Sequence, residues 1–320
     1  MRILITGITG FVGAHLVESL VSRGGRALAG VSRESAWPKH LAHLDGQAEL
    51  HAADLMYGEK VDAVLRQVQP EWIIHLAGYA NTGGSFKEPE ACWHDNLDAT
   101  WSLYEAVARS QLRPRILFVS TGLVYGDPDE PGQPCDERTT LKPASPYAAS
   151  KAAAEMLSYQ YTRNPGLDIV RVRLFNQIGP RQSPDYAVAN FARQIAAIEA
   201  GKQEPRIETG DLSAQRDLTD VRDTVAAFPL LLEKGIKGEA YNAGRGETFT
   251  MQSILDHLLS LSKVKVEVLQ KAVRKSDTAV TRADPQKLQA ATGWTPRIPL
   301  DQTLLDILNH WREAQSPASR

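Results

Sequence analysis

Two cysteines in 320 residues, Cys92 and Cys135, are too few for the disulfide framework of a small secreted domain. Both read as thiols without a role, and the cytoplasm is the expected compartment. No apolar run approaches the ~20 residues that a membrane-spanning helix requires. The opening stretch, MRILITGITGFVG, is apolar but broken by glycines, so it reads as a first strand and turn rather than a signal peptide. Charge of one sign is also lacking. The 36 Lys and Arg against 38 Asp and Glu leave a net charge of −2, and nothing global draws in nucleic acid or an anionic membrane. Neither is expected as a partner, so an anionic ligand must be held by local features. Internal repeats and low-complexity segments are absent, and no metal site is expected.

What is present is an alternation of short apolar runs with helical patterns. Residues 2–5, 27–31, 49–53, 72–77, 115–120 and 168–173 read as strands. The run WIIHLA at 72–77 is continuously apolar, as a central parallel strand requires. Helical periods cover residues 12–22, 96–108 and 147–161. Such alternation predicts an α/β fold, a doubly wound parallel sheet of the Rossmann type. After Asn176 the rhythm changes to a long loop (179–186), a helix (188–201), a lone strand (239–242) and helices near 251–261 and 300–314. We expect residues 1–175 and 216–244 to form the dinucleotide-binding domain. Residues 176–215 and 245–320 then form a smaller, interleaved C-terminal substrate domain.

Gly7, Gly10 and Gly13 stand at the first strand–helix junction with G-x-x-G-x-x-G spacing. Glycines there let the backbone approach a pyrophosphate, and the helix N-terminus offers free N–H groups and a positive dipole. Spacing alone is a weak signal, but this position is the one the mechanism demands. Tyr147 and Lys151 form a Y-x-x-x-K run on one face of a helix. A nearby ammonium is expected to lower the phenol's pKa from ~10 towards neutrality, as a tyrosine acid or base near pH 7 needs. Thr121 follows the strand at 115–120, where its hydroxyl can meet a substrate oxygen. The second strand ends in Ser32-Arg33-Glu34. An acidic residue there would favour the ribose hydroxyl of NAD; a hydroxyl and a guanidinium suit a 2′-phosphate instead. NADP(H) is therefore the preferred cofactor, with NAD(H) as the alternative.

The segments GITGFVGAHL, HLAG, VSTGLVYG, SPYAASK, RLFNQIGP and RDLTDVRD occur in that order and span nearly the whole chain. Together they resemble the extended short-chain dehydrogenases, the NAD-dependent epimerase/dehydratase family, which act on nucleotide sugars. Within it, RLFNQIGPRQSP, FARQIAAIEAGKQEP and TGWTPRIPL look like the reductases of GDP-4-keto-6-deoxy-D-mannose. The resemblance implies a catalytic set of Thr121, Tyr147 and Lys151. It implies cofactor contacts from Thr9, Phe11 and Val12 in the glycine turn, from Asp54 and Leu55, from Leu76, Ala77 and Gly78, and from Asn96. It places Asn176, Arg216, Arg274 and Asp277 on the nucleotide-diphosphate sugar.

Dehydratases of the family carry an acidic pair after the triad hydroxyl. Here Gly122 and Leu123 stand there, and neither can move a proton. The implied activity is NADP-dependent reduction of a GDP-linked 4-keto-6-deoxy-hexose. A nucleotide-sugar 4-epimerase is the alternative within enzymes, and a catalytically silent cofactor-binding regulator the alternative outside them. Gln177, where the reductase subgroup usually has His, and Leu123, where it tends to be acidic, are departures close to the expected sugar. The helices at 96–108 and 147–161 carry surplus apolar surface, and the resemblance implies that they pair across a two-fold axis into a homodimer.

Overall fold

The computed structural model describes residues 1–127, 132–271 and 280–316. Strand β1 (Arg2–Thr6) leads through the glycine turn into α1 (Phe11–Arg23). Next come β2 (Ala27–Ser32), β3 (Glu49–Ala52), α2 (Gly58–Val68) and β4 (Trp72–His75). Helix α3 (Pro89–Trp93) passes through one widened turn (His94–Asp98) into α4 (Ala99–Arg109). The chain continues as β5 (Arg115–Thr121), β6 (Pro134–Cys135), α5 (Pro146–Arg163) and β7 (Asp168–Leu174). The second part contains β8 (Asn176–Ile178), α6 (Ala187–Glu199), β9 (Arg206–Thr209), β10 (Gln215–Asp220) and α7 (Val221–Lys234). It ends with β11 (Ala240–Ala243), β12 (Thr248–Thr250), α8 (Met251–Ser260), β13 (Glu267–Gln270), β14 (Arg282–Ala283), α9 (Gln286–Thr292) and α10 (Leu300–Gln315).

Seven strands form the main sheet in the order β11-β7-β5-β4-β1-β2-β3, and every neighbouring pair is parallel. Alternation along each strand feeds two cores. Ile3 and Ile5 of β1, with Leu117 and Val119 of β5, join the core under α1 and α7; Leu4, Ile116 and Phe118 join the core under α2, α4 and α5. Both faces are covered, which is why these strands read as nearly unbroken apolar runs. The expected doubly wound parallel sheet is present. Its chain order reverses at β1, with β2 on one side and β4 on the other, and ligand clefts of such sheets open at this point.

A three-stranded sheet, β12-β10-β8, lies apart from the main one. Helices α6, α8 and α10 pack around it through Phe191, Ile195, Leu255, Leu258, Leu304 and Ile307. Strand β10 lies in the 216–244 stretch expected to belong to the larger domain, yet it pairs with β8 and β12. The chain then returns at once, because Val221, Val225 and Phe228 of α7 enter the main core. No helix among the described residues is long and apolar enough to cross a membrane.

Candidate active site

A cleft of about 740 Å³ opens at the C-terminal ends of β1, β2, β4, β5 and β7. The glycine turn forms one end. Gly7 has φ +68°, and its N–H bonds the Val31 carbonyl at 3.1 Å. A Cβ on Gly7 would come within 2.8 Å of the Ala77 nitrogen, and one on Gly13 within 2.4 Å of the Gly7 carbonyl. Only glycine lets the turn sit this tightly against β4 and α1. Gly10 caps α1 without a side-chain bond, so no side chain competes for the first-turn N–H groups. Thr9, Phe11 and Val12 line the cleft beside it, as do Leu55, Leu76, Ala77 and Gly78. This cradle suits a pyrophosphate.

At the β2 end the Thr9 and Ser32 hydroxyls lie 3.4 Å apart. Arg33, 60% exposed, is held between two carboxylates: its Nη2 lies 2.5 Å from Asp95 Oδ1 and its Nε 3.5 Å from Asp54 Oδ2. The Asp95 hydrogen bond raises the guanidinium's pKa. The resemblance put Asp54 in the site; Asp95 was not foreseen, though it directly precedes Asn96.

The cleft floor is a polar network. Thr6 Oγ1 accepts from the Ala77 N–H at 3.1 Å and lies 2.7 Å from His75 Nδ1. His75 Nε2 lies 2.9 Å from Thr100 Oγ1, which itself donates to the Asn96 carbonyl at 2.6 Å. Since the Thr100 hydroxyl proton is committed, His75 donates from Nε2 and accepts at Nδ1, as only the neutral ring can. Burial pulls its pKa down to about 3, which agrees. Asn96 is itself buried. It donates from Nδ2 to Ser150 Oγ at 2.9 Å, and Ser150 donates to the Tyr147 carbonyl at 2.9 Å. Asn96 Oδ1 is buried without a partner.

Tyr147, Lys151 and Thr121 meet at the β5 end of the cleft. Pro146 at the start of α5 and the Ser145 cap, which accepts from the Ala148 N–H at 3.1 Å, fix where the helix begins. Burial pushes the Tyr147 phenol up to about 12, and hydrogen bonding with Thr121 opposes this only in part. The expected lowering by Lys151 is therefore not what the structure shows, because the phenol's desolvation prevails. Lys151 is affected in the opposite direction: burial brings it down from 10.5 to about 8, against the pull of Glu155. Its ammonium donates to the Val119 carbonyl and lies 4.7 Å from the Phe118 ring centroid. Beneath it Glu155, fully buried, accepts from Ser120 Oγ at 2.6 Å and from Arg173 Nη2 at 2.7 Å.

Asn176 lines the cleft and donates to the Asp217 carbonyl at 3.2 Å. Arg216 is half-buried on β10, is not among the residues that line the cleft, and donates to the Gln215 carbonyl at 2.7 Å. Arg274 and Asp277 lie outside the described residues. Tyr79, Gln182 and Tyr186 line the cleft and were not singled out in the sequence. Gln182 was visible only as part of the RLFNQIGPRQSP segment. Tyr186 donates to the Ala80 carbonyl at 2.8 Å and so ties the loop before α6 to the loop after β4. Both cysteines are free and buried, and burial raises both thiols.

The family model described as GDP-mannose 4,6 dehydratase matches residues 4–307. Over 97% of this chain and 97% of the relative, the sequence is 31% identical to the GDP-6-deoxy-D-mannose reductase of Pseudomonas aeruginosa. The structure of RMD from Pseudomonas aeruginosa complexed with NADPH superposes with a TM-score of 0.85 at 31% identity, covering 98% of this chain and 99% of that one. The UDP-glucose 4-epimerase of Thermus thermophilus complexed with NAD superposes with a TM-score of 0.87 at 30% identity, covering 98% of this chain and 100% of that one. The parallel sheet, the glycine cradle and these full-length matches lead to one conclusion: the chain belongs to the GDP-mannose 4,6 dehydratase family of extended short-chain dehydrogenases.

Proposed function

We propose that the protein is an NADP-dependent reductase of a GDP-linked 4-keto-6-deoxy-hexose. The observation that carries this reading is that half-buried Tyr147, Thr121 and Lys151 line one end of the same cleft, with desolvation pushing the phenol up to about 12 so that it keeps its proton at neutral pH. Reduction of a ketone requires a donor that still holds its proton when hydride arrives at carbon. Reduced nicotinamide, when bound, supplies that hydride. The residues fit a dinucleotide: the glycine cradle excludes any Cβ, and Asn96 Oδ1 is an unpaired acceptor on the same wall. Gly7, Thr9, Gly10, Phe11, Val12 and Gly13 would hold the pyrophosphate, and Ser32 and Arg33 the 2′-phosphate. Lys151 would bond the nicotinamide ribose. Thr121 orients the carbonyl oxygen, and Tyr147 delivers its proton to that oxygen, leaving an alcohol.

Dehydration would need an acid and a base next to Thr121. Gly122 and Leu123 line the cleft there, and a Cβ on Gly122 would lie 3.0 Å from the Phe175 ring. The GDP and 6-deoxy-mannose part of the reading is supported by the 31% identity to the Pseudomonas reductase. The comparable TM-score of the Thermus epimerase supports a second reading, 4-epimerisation of a nucleotide sugar. A silent regulator is disfavoured because all three catalytic groups reach the cleft. The deciding experiment supplies 4-keto-6-deoxy sugar nucleotides with NADPH and follows cofactor oxidation. Consumption matching product supports the reductase. Interconversion of UDP-glucose and UDP-galactose with no net cofactor use supports the epimerase.

We also propose a homodimer built on α4 and α5. Trp101 on α4 is 53% exposed, and Met156 and Tyr159 on α5 are 48% and 47% exposed. Large apolar side chains gathered on adjacent helices suit an isologous interface.

A further inference from the structure

Besides Asn96 Oδ1, two buried amide atoms of cleft residues lack a partner, Gln177 Nε2 and Gln182 Oε1. Both residues line the cleft next to Asn176. Gln182 is only 6% exposed. Its orientation is set by its own Nε2, which donates to the Gln177 carbonyl at 2.8 Å, as an amide oxygen cannot. The same bond holds the two residues together. Folding has thus desolvated a donor and an acceptor on two linked residues of the cleft and left each unpaired. Buried polar atoms are nearly always paired, so an exception inside a cleft points to a ligand that completes it.

The chemistry of that ligand follows from the two vacant valences. A hydroxyl both accepts and donates. A carboxylate or a ketone only accepts, and a methyl does neither. The charges agree. Among the described residues of the cleft wall the lysines and arginines are Arg33 and Lys151. Arg33 is paired with Asp95 and Asp54, and Lys151 is bonded to the Val119 carbonyl. Asp185, on the loop that carries Gln182, adds negative charge. Among the described residues of the cleft wall, a carboxylate on the sugar would find no cation that is not already paired or hydrogen-bonded.

We infer that Gln177 and Gln182 read a ring hydroxyl of the sugar, away from the reacting carbon, and that the site takes uncharged hexoses and rejects uronic acids. This rests on the nucleotide-sugar reading above. The test is calorimetric titration of the full chain with NADPH, with GDP-mannose against GDP, and with UDP-glucose and UDP-glucuronate against UDP. At least one uncharged hexose nucleotide should bind more tightly than its own diphosphate, and UDP-glucuronate should bind more weakly than UDP-glucose. Gln177→Met and Gln182→Met should each reduce the hexose advantage about three- to tenfold, the worth of one neutral hydrogen bond. Affinity for NADPH and for the bare diphosphates should not change. An undiminished hexose advantage in both variants, or UDP-glucuronate binding as tightly as UDP-glucose, overturns the inference; the second comparison uses the unaltered protein and holds even if a variant misfolds. If NADPH binds but every sugar nucleotide only matches its diphosphate, the nucleotide-sugar reading itself fails and the inference falls with it.

Discussion

The Lys151 ammonium donates to the Val119 carbonyl at 2.7 Å, which anchors the α5 lysine to the strand that ends in Thr121. Lys151 is charged at pH 7 and loses its proton as pH rises through about 8. NADPH affinity and turnover should therefore decline above pH ~8, and Lys151→Met should abolish the step. Stability should respond in the opposite sense. Between about 8 and the ordinary 10.5 the unfolded chain holds more protons at this position than the folded one, so stability should rise with pH across that window. Cofactor titrations and urea melts over a pH series check both signs.

Tyr147→Phe should leave the fold and cofactor affinity nearly unchanged while removing the proton donor. General acid catalysis is typically worth ~10²–10⁴-fold, and turnover should drop by that order. Turnover close to the unaltered protein would remove Tyr147 from the mechanism.

Arg33→Ala tests cofactor choice. A charge-assisted hydrogen bond is worth roughly 1.5–3 kcal/mol, so NADPH affinity should fall about tenfold or more while NADH affinity barely moves. Asp95 and Asp54 already hold this guanidinium, and a 2′-phosphate would have to displace them. Asp95→Asn should therefore tighten NADPH binding. Equal losses for both cofactors in Arg33→Ala would show that Arg33 does not read the phosphate.

Trp101→Glu should split the proposed dimer, since a carboxylate in the centre of an apolar interface is desolvated without a partner. Light scattering at micromolar concentration should give twice the chain mass for the unaltered protein and one chain mass for the variant. A single chain mass for both removes the interface.

Glu155→Ala should be among the most destabilising substitutions in the larger core. The carboxylate is fully buried and accepts from Ser120, Arg171 and Arg173. Breaking a buried ion pair by removing one partner costs about 3–5 kcal/mol. Thermal melts measure it, and a loss below ~1 kcal/mol would mean that both arginines find other partners.

The main sheet was legible because its central strands, β1, β4 and β5, are short apolar runs of their own. The small sheet was not. Strands β8, β10 and β12 have only 3, 6 and 3 residues, and they pair across long stretches of chain, so local periodicity carries little of their signal. Helix α7 starts directly after β10, capped by Asp220, and contains Pro229; both features obscure a helical pattern. Helix α2 has Val61, Val64, Leu65 and Val68 on one face, a pattern that was readable but went unremarked. Tyr147, Lys151 and Glu155 recur every four residues and share one helix face, although the Y-x-x-x-K run draws attention to the first two alone. That Glu155 offsets the two arginines inside DIVRVR became apparent only in three dimensions. The charge alternation of that strand looks like a solvent-facing edge, whereas Arg171 and Arg173 are 8% and 4% exposed.

Strand β11 closes the main sheet against β7, with Ala240 opposite Arg171 and Ala243 opposite Leu174. Between them the chain leaves to build β8 and β10 and returns through α7. A nascent polypeptide leaving the ribosome thus carries β7 with one open edge, and Val170 and Val172 without α7 over them, until residues 221–243 emerge. Unpaired edges of this kind recruit other chains. Expression of residues 1–175 alone should therefore yield aggregates, and synthesis of the whole should rely on chaperones that shield that edge until the late segment arrives.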